Sequence, residues 1–291
     1  MTKESIKVQF AALQVLLGSF MKALEVMCVV QNIKPVARIL CHQPQASTIR
    51  KALSDLGLQA ARAGYKLLLE HGSSSYVDKA TRVSLDHPSV GHEILYIAKS
   101  SALANQAQEK EHHQQHVELG LLLGYPLCCA EFFAKKFSEH HTDLTLDMFE
   151  ASPGYEFPYE MNIAARHMDM ALLSHFPHSF FCEPSQEQAL KRLELLKENM
   201  PKAMVHLNSI LKSAVIYTEQ EGVHVLIDPK KKIIGKDISI EYKEVLSTLN
   251  NKLHYALSEQ SKITIKGKAS IGVGELVLDK KAIMLFIEKG T

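Results

Sequence analysis

The strongest constraint on the fold is a change in residue pattern near Ser213. Before this residue most segments carry apolar side chains at helical spacing, and after it short β-type runs alternate with Gly, Pro and Asp. These β-type runs are 214–217, 223–227, 238–242, 263–265, 275–278 and 283–288. The pattern predicts a main α/β domain over residues 1–212 and a small, mostly antiparallel β module over residues 213–291.

The first 212 residues predict a mixed α+β arrangement, with one long N-terminal helix followed by a small α/β layer. Apolar residues recur at helical spacing over residues 3–30, which favours a single amphipathic helix. Residues 125–182 lack clean periodicity and predict an irregular, partly helical region. The remaining predicted elements are strands at 36–41, 65–69 and 93–98 and helices at 47–56, 74–83, 100–123 and 184–212, the last with Ser185 and Gln188 in capping-box positions and a division at Pro201.

Composition limits the classes of function. The 291 residues carry a formal net charge of +1, which argues against general nucleic-acid binding, and no apolar run is long enough to cross a membrane. The 5 cysteines are an odd number in a chain too long to need disulfides, so we expect a reducing, cytoplasmic location. Cys28 and Cys41 fall in apolar runs, and we expect them to pack in the core.

The most informative segment is Leu-Gly-Tyr-Pro-Leu-Cys-Cys at residues 123–129. Gly124 is expected to end one helix and Pro126 to begin the next, which places Cys128 and Cys129 at a helix N-terminus. Backbone N–H groups and the helix dipole lower a thiol pKa there, so such a thiol is a better nucleophile or metal ligand. The alternative is that two adjacent cysteines pack as small apolar residues.

A second segment favours a metal site over simple packing of the two cysteines. His175, His178 and Cys182 occur within eight residues, directly before a predicted helix. Cys128, Cys129 and Cys182 with one of these two histidines form a Cys3His set, which suits a tetrahedral zinc ion or an iron–sulfur cluster. The spacing is not that of a zinc finger, and strain between adjacent cysteines could keep both from binding one ion.

The two segments resemble an uncharacterised family of archaea and bacteria that is classified as a domain of unknown function. Its motifs, GYPxCC and HxPCSxxC, correspond here to GYPLCC at 124–129 and HFPHSFFC at 175–182. The resemblance covers residues 50–190 and implies that the cysteines and His175 form one site near Asn162. His178 stands where the family has a cysteine, which implies three thiolates and one imidazole.

The polar stretch before the first cysteine block contains His112 and His116, four residues apart. That spacing occurs in carboxylate-bridged metal sites. No apolar residues flank them, so we expect a solvated helix face instead.

These observations predict a metal-dependent (iron–sulfur or zinc) enzyme that acts on a small molecule or a modified peptide or nucleotide. One alternative is a metal-free thiol enzyme, with His175 as the base and Cys182 as the resolving thiol. Another is a non-catalytic binding protein with a structural metal site. The candidate catalytic residues are Cys128, Cys129, His175 and Asn162, with Arg166 and Glu131 as supporting candidates, and the candidate metal ligands are Cys128, Cys129, Cys182 and His178.

Overall fold

The computed structural model of the protein describes residues 3–70, 79–138, 141–218, 220–234, 237–266, 270–273, 276–279 and 282–288, and it confirms the mixed α/β class. The helices are α1 (Lys3–Leu17), α2 (Phe20–Val30), α3 (Ala46–Asp55), α4 (Ser101–His112), α5 (His116–Leu122), α6 (Leu127–Lys136), α7 (Thr145–Glu150), α8 (Glu183–Asn199), α9 (Pro201–Leu211) and α10 (Lys252–Glu259), with short 3-10 helices at Gln43–Gln45, Tyr159–Met161 and Ile163–Met168. The strands are β1 (Val36–His42), β2 (Gln59–Glu70), β3 (Lys79–Ser84), β4 (His92–Ala98), β5 (Glu156–Pro158), β6 (Ala214–Thr218), β7 (Gly222–Ile227), β8 (Lys230–Ile234), β9 (Asp237–Glu241), β10 (Glu244–Ser247), β11 (Lys262–Lys266), β12 (Ser270–Val273), β13 (Leu276–Asp279) and β14 (Ala282–Ile287). Within these ranges no helix has the length and apolar character needed to cross a membrane.

The N-terminal amphipathic stretch forms two helices, so the prediction of one helix over residues 3–30 is wrong. Gly18 adopts the left-handed conformation, with a φ of 60°, directly after α1. Ser19 then caps α2, since its hydroxyl accepts a hydrogen bond from the backbone of Lys22 at 3.1 Å. The same hydroxyl donates to the Asp169 carboxylate at 2.6 Å, which ties the start of α2 to the middle of the chain.

The first sheet has the strand order β1-β4-β2-β3 and is antiparallel throughout. It contains the three strands predicted for the first hundred residues. The helix predicted over residues 74–83 is wrong where the structure describes it, because β3 pairs with β2 from Tyr65 opposite Ser84 onward; residues 74–78 lie outside the described residues. This pairing is a non-local contact, which a helical pattern in one segment does not detect.

The helix predicted over residues 100–123 is also divided. Gln114 lies in the left-handed region with a φ of 54°, and the backbone of Gln115 donates to the Lys110 carbonyl at 2.9 Å. This arrangement ends α4, and α5 begins at His116. The division turns α5 onto α6, the helix that carries Cys128 and Cys129.

The segment predicted as a divided helix over residues 184–212 forms α8 and α9, with Pro201 beginning α9, which confirms the division. The predicted capping box is wrong, because Cys182 occupies the N-cap position. Ser185 lies inside the first turn of α8. Gln188 instead donates a hydrogen bond to the Gly124 carbonyl at 2.7 Å.

The C-terminal part forms two five-stranded sheets, with the orders β10-β7-β6-β14-β5 and β13-β12-β11-β9-β8. The β-type runs predicted after residue 213 are confirmed as strands in the described residues. The short strand β5 comes from the middle of the chain and pairs in parallel with β14, with Phe157 opposite Phe286. One sheet therefore joins residues 156–158 to the C-terminal strands, and the domain division at residue 213 stays a prediction.

Candidate metal centre

The first half of the site is the start of α6. Gly124 has a φ of 76°, and a Cβ at this position would lie only 3.1 Å from the Pro35 ring, so the close approach and the conformation both favour glycine. Pro126 is the N-cap of α6, which places Cys128 and Cys129 in its first turn. The positive end of the helix dipole lies here and favours negative charge on sulfur.

The second half of the site is the loop that leads into α8. Cys182 is the N-cap of that helix, and its backbone N–H donates to the Ser179 carbonyl at 3.1 Å. Phe180 is buried and stacks on Phe157, with ring centroids 4.4 Å apart. The backbone N–H of Phe180 donates to the Ser152 hydroxyl at 2.9 Å. The loop is thus anchored to the core just before its sulfur.

The two halves bring four donor atoms into one group, which we call the Cys/His group: Cys128, Cys129, His178 and Cys182. All four atoms lie within 4.8 Å of one another. The Sγ–Sγ distances are 3.8 Å between Cys128 and Cys129, 3.9 Å between Cys128 and Cys182, and 3.5 Å between Cys129 and Cys182. The Cys129 Sγ lies 3.7 Å from the Nδ1 of His178.

These separations match the ligands of a single metal ion. With a zinc–sulfur bond of about 2.3 Å, two thiolates of a regular tetrahedron lie about 3.8 Å apart, and a thiolate and an imidazole nitrogen about 3.6 Å apart. Cys128 and Cys129 reach this separation although they are neighbours in the chain. The expected strain between adjacent cysteines therefore does not separate their sulfurs.

The protonation of the three thiols is coupled. Hydrogen bonds from the Cys129 thiol and from Ser185 lower the pKa of Cys182 to about 5. The same hydrogen bond, together with burial, raises the pKa of Cys129, and burial with the nearby Cys182 thiolate raises the pKa of Cys128. The group by itself favours one thiolate and resists further negative charge. A divalent cation removes that resistance, because metal binding deprotonates its cysteine ligands.

His175 lies behind this group rather than in it. Its Nε2 is 2.9 Å from the Ser185 hydroxyl, which in turn lies 3.3 Å from the Cys129 Sγ. The imidazole stacks on Tyr125, with centroids 4.7 Å apart. Burial lowers the pKa of His175 to about 3, so the ring is neutral at physiological pH and a poor general base.

A buried charged triad that no sequence motif indicates lies close enough to His175 to affect its pKa. Glu25 of α2 forms ion pairs with Lys34 and with Arg192 of α8, the latter at 2.6 Å. Although burial opposes ionisation, these two cations lower the pKa of Glu25 to about 2. Arg192 also donates to the Leu172 carbonyl at 2.7 Å. The available signal was Glu25, a charged residue in the apolar face of α2.

The other candidate residues have contacts of their own, outside the Cys/His group. Asn162 is buried, and its amide donates to the carbonyls of Ile210 and Leu211 at the end of α9, so its described hydrogen bonds do not join it to the Cys/His group. Arg166 donates to the Thr145 hydroxyl at 2.8 Å. Glu131 lies on the exposed side of α6.

The histidines before the first cysteine block belong to two helices. His112 is exposed at the end of α4, as expected for a solvated face. His116 is half-buried at the start of α5, and its ring packs edge-on against Phe133 and Phe137. The prediction of a solvated face is wrong for His116, because the break at Gln114 turns it toward α6.

Cys28 and Cys41 are buried away from this group, as expected for packing residues. Burial raises the pKa of both thiols to about 11. The three cysteines with metal-binding geometry are therefore the three that lie within the two sequence motifs.

Comparison of the chain with protein families, curated proteins and solved structures finds no match. A function must therefore be argued from the donor atoms, their spacing and their surroundings. A Cys3His group of this size could hold a metal ion.

Proposed function

We propose that this is a zinc-binding protein whose single metal ion is held by Cys128, Cys129, His178 and Cys182. The observation that carries the proposal is the spacing of the three sulfurs, 3.5 to 3.9 Å, with one imidazole nitrogen beside them. Two helix N-termini face the same group, which further favours thiolates. The bound ion would tie α6 to α8 across the loop between them.

The spacing favours one ion over an iron–sulfur cluster. In a cluster each thiolate binds a different iron, so cysteine sulfurs lie farther apart than the ligands of one ion. Three sulfurs in mutual contact leave no room for bridging sulfides between them. Under this proposal the two motifs of the family that the chain resembles are two halves of one site, and His178 takes the place of a fourth thiolate.

Four protein ligands complete a tetrahedron, which is typical of structural zinc. This favours a protein whose metal stabilises the fold around a binding surface. A metal-dependent enzyme is the second candidate, because Cys128 and His178 are only half-buried. Solvent or substrate could reach the ion if one of these two ligands were exchanged. The zinc would then polarise a substrate or activate water.

Metal analysis tests the proposal directly. The protein is purified anaerobically, its metals are quantified, and its absorption spectrum is recorded. We expect about one zinc ion per chain and no visible charge-transfer bands. Cys129→Ser and Cys182→Ser should lose the metal, whereas Cys41→Ala, which alters a core cysteine, should retain it.

The same samples separate the alternatives. A brown protein with visible bands would show an iron–sulfur cluster. Folded, metal-free protein with one rapidly alkylated thiol would favour thiol chemistry. His178→Ala that keeps its zinc and gains a bound water would favour the enzyme, since the fourth position can then be vacated.

A further inference from the structure

A cleft of about 530 Å³ lies between the first sheet and the α5–α6 pair. This volume falls in the range of small-molecule sites. None of the four proposed zinc ligands lines it. The cleft shares His175 with the surroundings of the Cys/His group, but its role does not depend on the zinc proposal.

One wall of the cleft is aromatic. Phe133 and Phe137 stack in parallel, with centroids 4.7 Å apart and planes 19° apart. His116 packs edge-on against both rings, at 5.8 and 5.5 Å. Tyr65 and Phe176 contribute further rings to the lining. Such surfaces bind flat, apolar ring systems by stacking.

The cleft also holds a cation without a carboxylate partner. Arg38 is already committed, since its guanidinium donates two hydrogen bonds to Glu111 at 2.6 and 2.9 Å. Arg82 is exposed, and its guanidinium lies 4.0 Å above the Tyr65 ring, which orients it in the cleft. In the part of the chain that the structure describes, no carboxylate pairs with Arg82. Within the described residues its N–H groups make no ion pair, so they are available to an anionic group.

We propose that this cleft binds a small aromatic anion, with the ring against Phe133 and Phe137 and the carboxylate or phosphate on Arg82. Arginine presents a planar set of N–H donors that matches both anions. The His116 imidazole is a further polar contact at the aromatic wall. The combination selects a molecule with both a ring and a charge over one with either alone.

Two probes share this chemistry, an aromatic ring with an anionic group, and differ in both the ring and the anion: adenosine 5′-monophosphate and 2-naphthoate. Binding is measured by isothermal titration calorimetry and by saturation-transfer NMR on the ring protons. We expect saturable binding of at least one probe. Adenosine and ribose 5-phosphate, which each lack one of the two groups, should bind more weakly than the nucleotide.

Two variants test the assigned contacts. Arg82→Gln should weaken binding of the anion by roughly tenfold or more, because it removes a charge-assisted hydrogen bond. Phe133→Ala should weaken it by about fivefold or more through lost stacking. Arg50→Gln, at an exposed arginine on α3, and Phe132→Ala, at the neighbouring ring on α6, are the matched controls and should leave binding unchanged.

Arg82 is exposed, so we expect its replacement to leave the fold intact. If neither probe binds, or if Arg82→Gln binds as tightly as the wild type, the proposal is overturned. Equal binding of adenosine and its monophosphate overturns the anionic part. Loss of binding in Phe132→Ala as well as in Phe133→Ala would show an effect of α6 stability rather than of stacking.

Discussion

The charged triad and the Cys/His group meet the same electrostatic problem differently. In the charged triad, Glu25 pairs with both Lys34 and Arg192, so the anion has its counterions within the chain. In the Cys/His group three thiols lie within 3.9 Å of one another, and a single imidazole joins them. The triad is complete as folded, whereas the sulfur group reaches its fully ionised form only with a cation.

The charges of the two clusters also complement each other. The triad has two cations and one carboxylate, which leaves one positive charge. Zinc with three thiolates and a neutral imidazole carries one negative charge. His175 lies between the clusters in the network, because its pKa responds to the triad cations and its Nε2 contacts Ser185. The excess charge of the triad therefore favours the metal-bound form.

The largest difference between the clusters should appear when metal is removed. Treating the protein with a strong chelator should lower the free energy of unfolding by about 5 kcal/mol or more, since zinc binding contributes to folding. For a chain of this size that is a fall in Tm of about 10 °C or more. Thermal unfolding followed by circular dichroism, with and without chelator, measures the change.

The matched variant is Cys129→Ser, which should unfold at the lower temperature and no longer respond to chelator. An unchanged Tm of the wild type after complete zinc removal would contradict a stabilising metal. The charged triad, by contrast, should not respond to chelator, because all of its charged groups are side chains of the protein.

The triad is tested by Glu25→Gln. This variant leaves Lys34 and Arg192 buried without an anion, which costs about 3–5 kcal/mol of stability. Denaturant unfolding measures the loss, and the zinc content should stay near that of the wild type. Lys51→Gln is the control, because Lys51 pairs with Asp55 on the exposed face of α3 and should change stability by less than about 0.5 kcal/mol. A loss below about 1 kcal/mol for Glu25→Gln would mean that water or rearrangement compensates the triad.

The sequence predicted one of these clusters and missed the other for a physical reason. Cys128 and Cys129 follow a helix-ending glycine and a helix-starting proline, so a local pattern placed their sulfurs at a helix N-terminus. The triad joins Glu25 to Arg192, which are 167 residues apart, and no local pattern relates them. Ser185 was assigned to capping because its hydroxyl fits that pattern, but its partners are a thiol and an imidazole.

The helices and strands show the same contrast between local signals, which the sequence carries, and non-local contacts, which it does not. The C-terminal strands were predicted because alternation and turn residues are local signals. The break at Gln114 was missed because a glutamine in the left-handed region has no strong sequence signature. Strand β3 was missed because its pairing with β2 is non-local.

The link between the clusters predicts a pH dependence. The pKa of His175 falls from about 6.5 in the unfolded chain to about 3 in the folded protein, so the unfolded state binds one more proton between these values. The contribution of His175 to the free energy of unfolding is therefore full above pH 6.5. It is lost as the pH falls toward 3, by about 1.4 kcal/mol per pH unit. His175→Gln should show a shallower slope than the wild type, with zinc removed from both so that metal release does not contribute. Parallel slopes from pH 6 to 4 in denaturant unfolding would show that His175 does not drive the loss.

The smallest expected effect concerns Ser185, whose hydroxyl contacts Cys129 and His175. Groups that orient metal ligands change metal affinity by about tenfold or more when they are removed, so Ser185→Ala should weaken zinc binding by about tenfold while leaving all four ligands in place. Competition with a chromophoric chelator measures the affinity, and Ser209→Ala, at an exposed serine of α9, is the control. If Ser185→Ala binds zinc as tightly as Ser209→Ala, the sulfurs are held by the two helix starts alone. In that case the triad affects zinc affinity only through its charge and not through the His175–Ser185 contact.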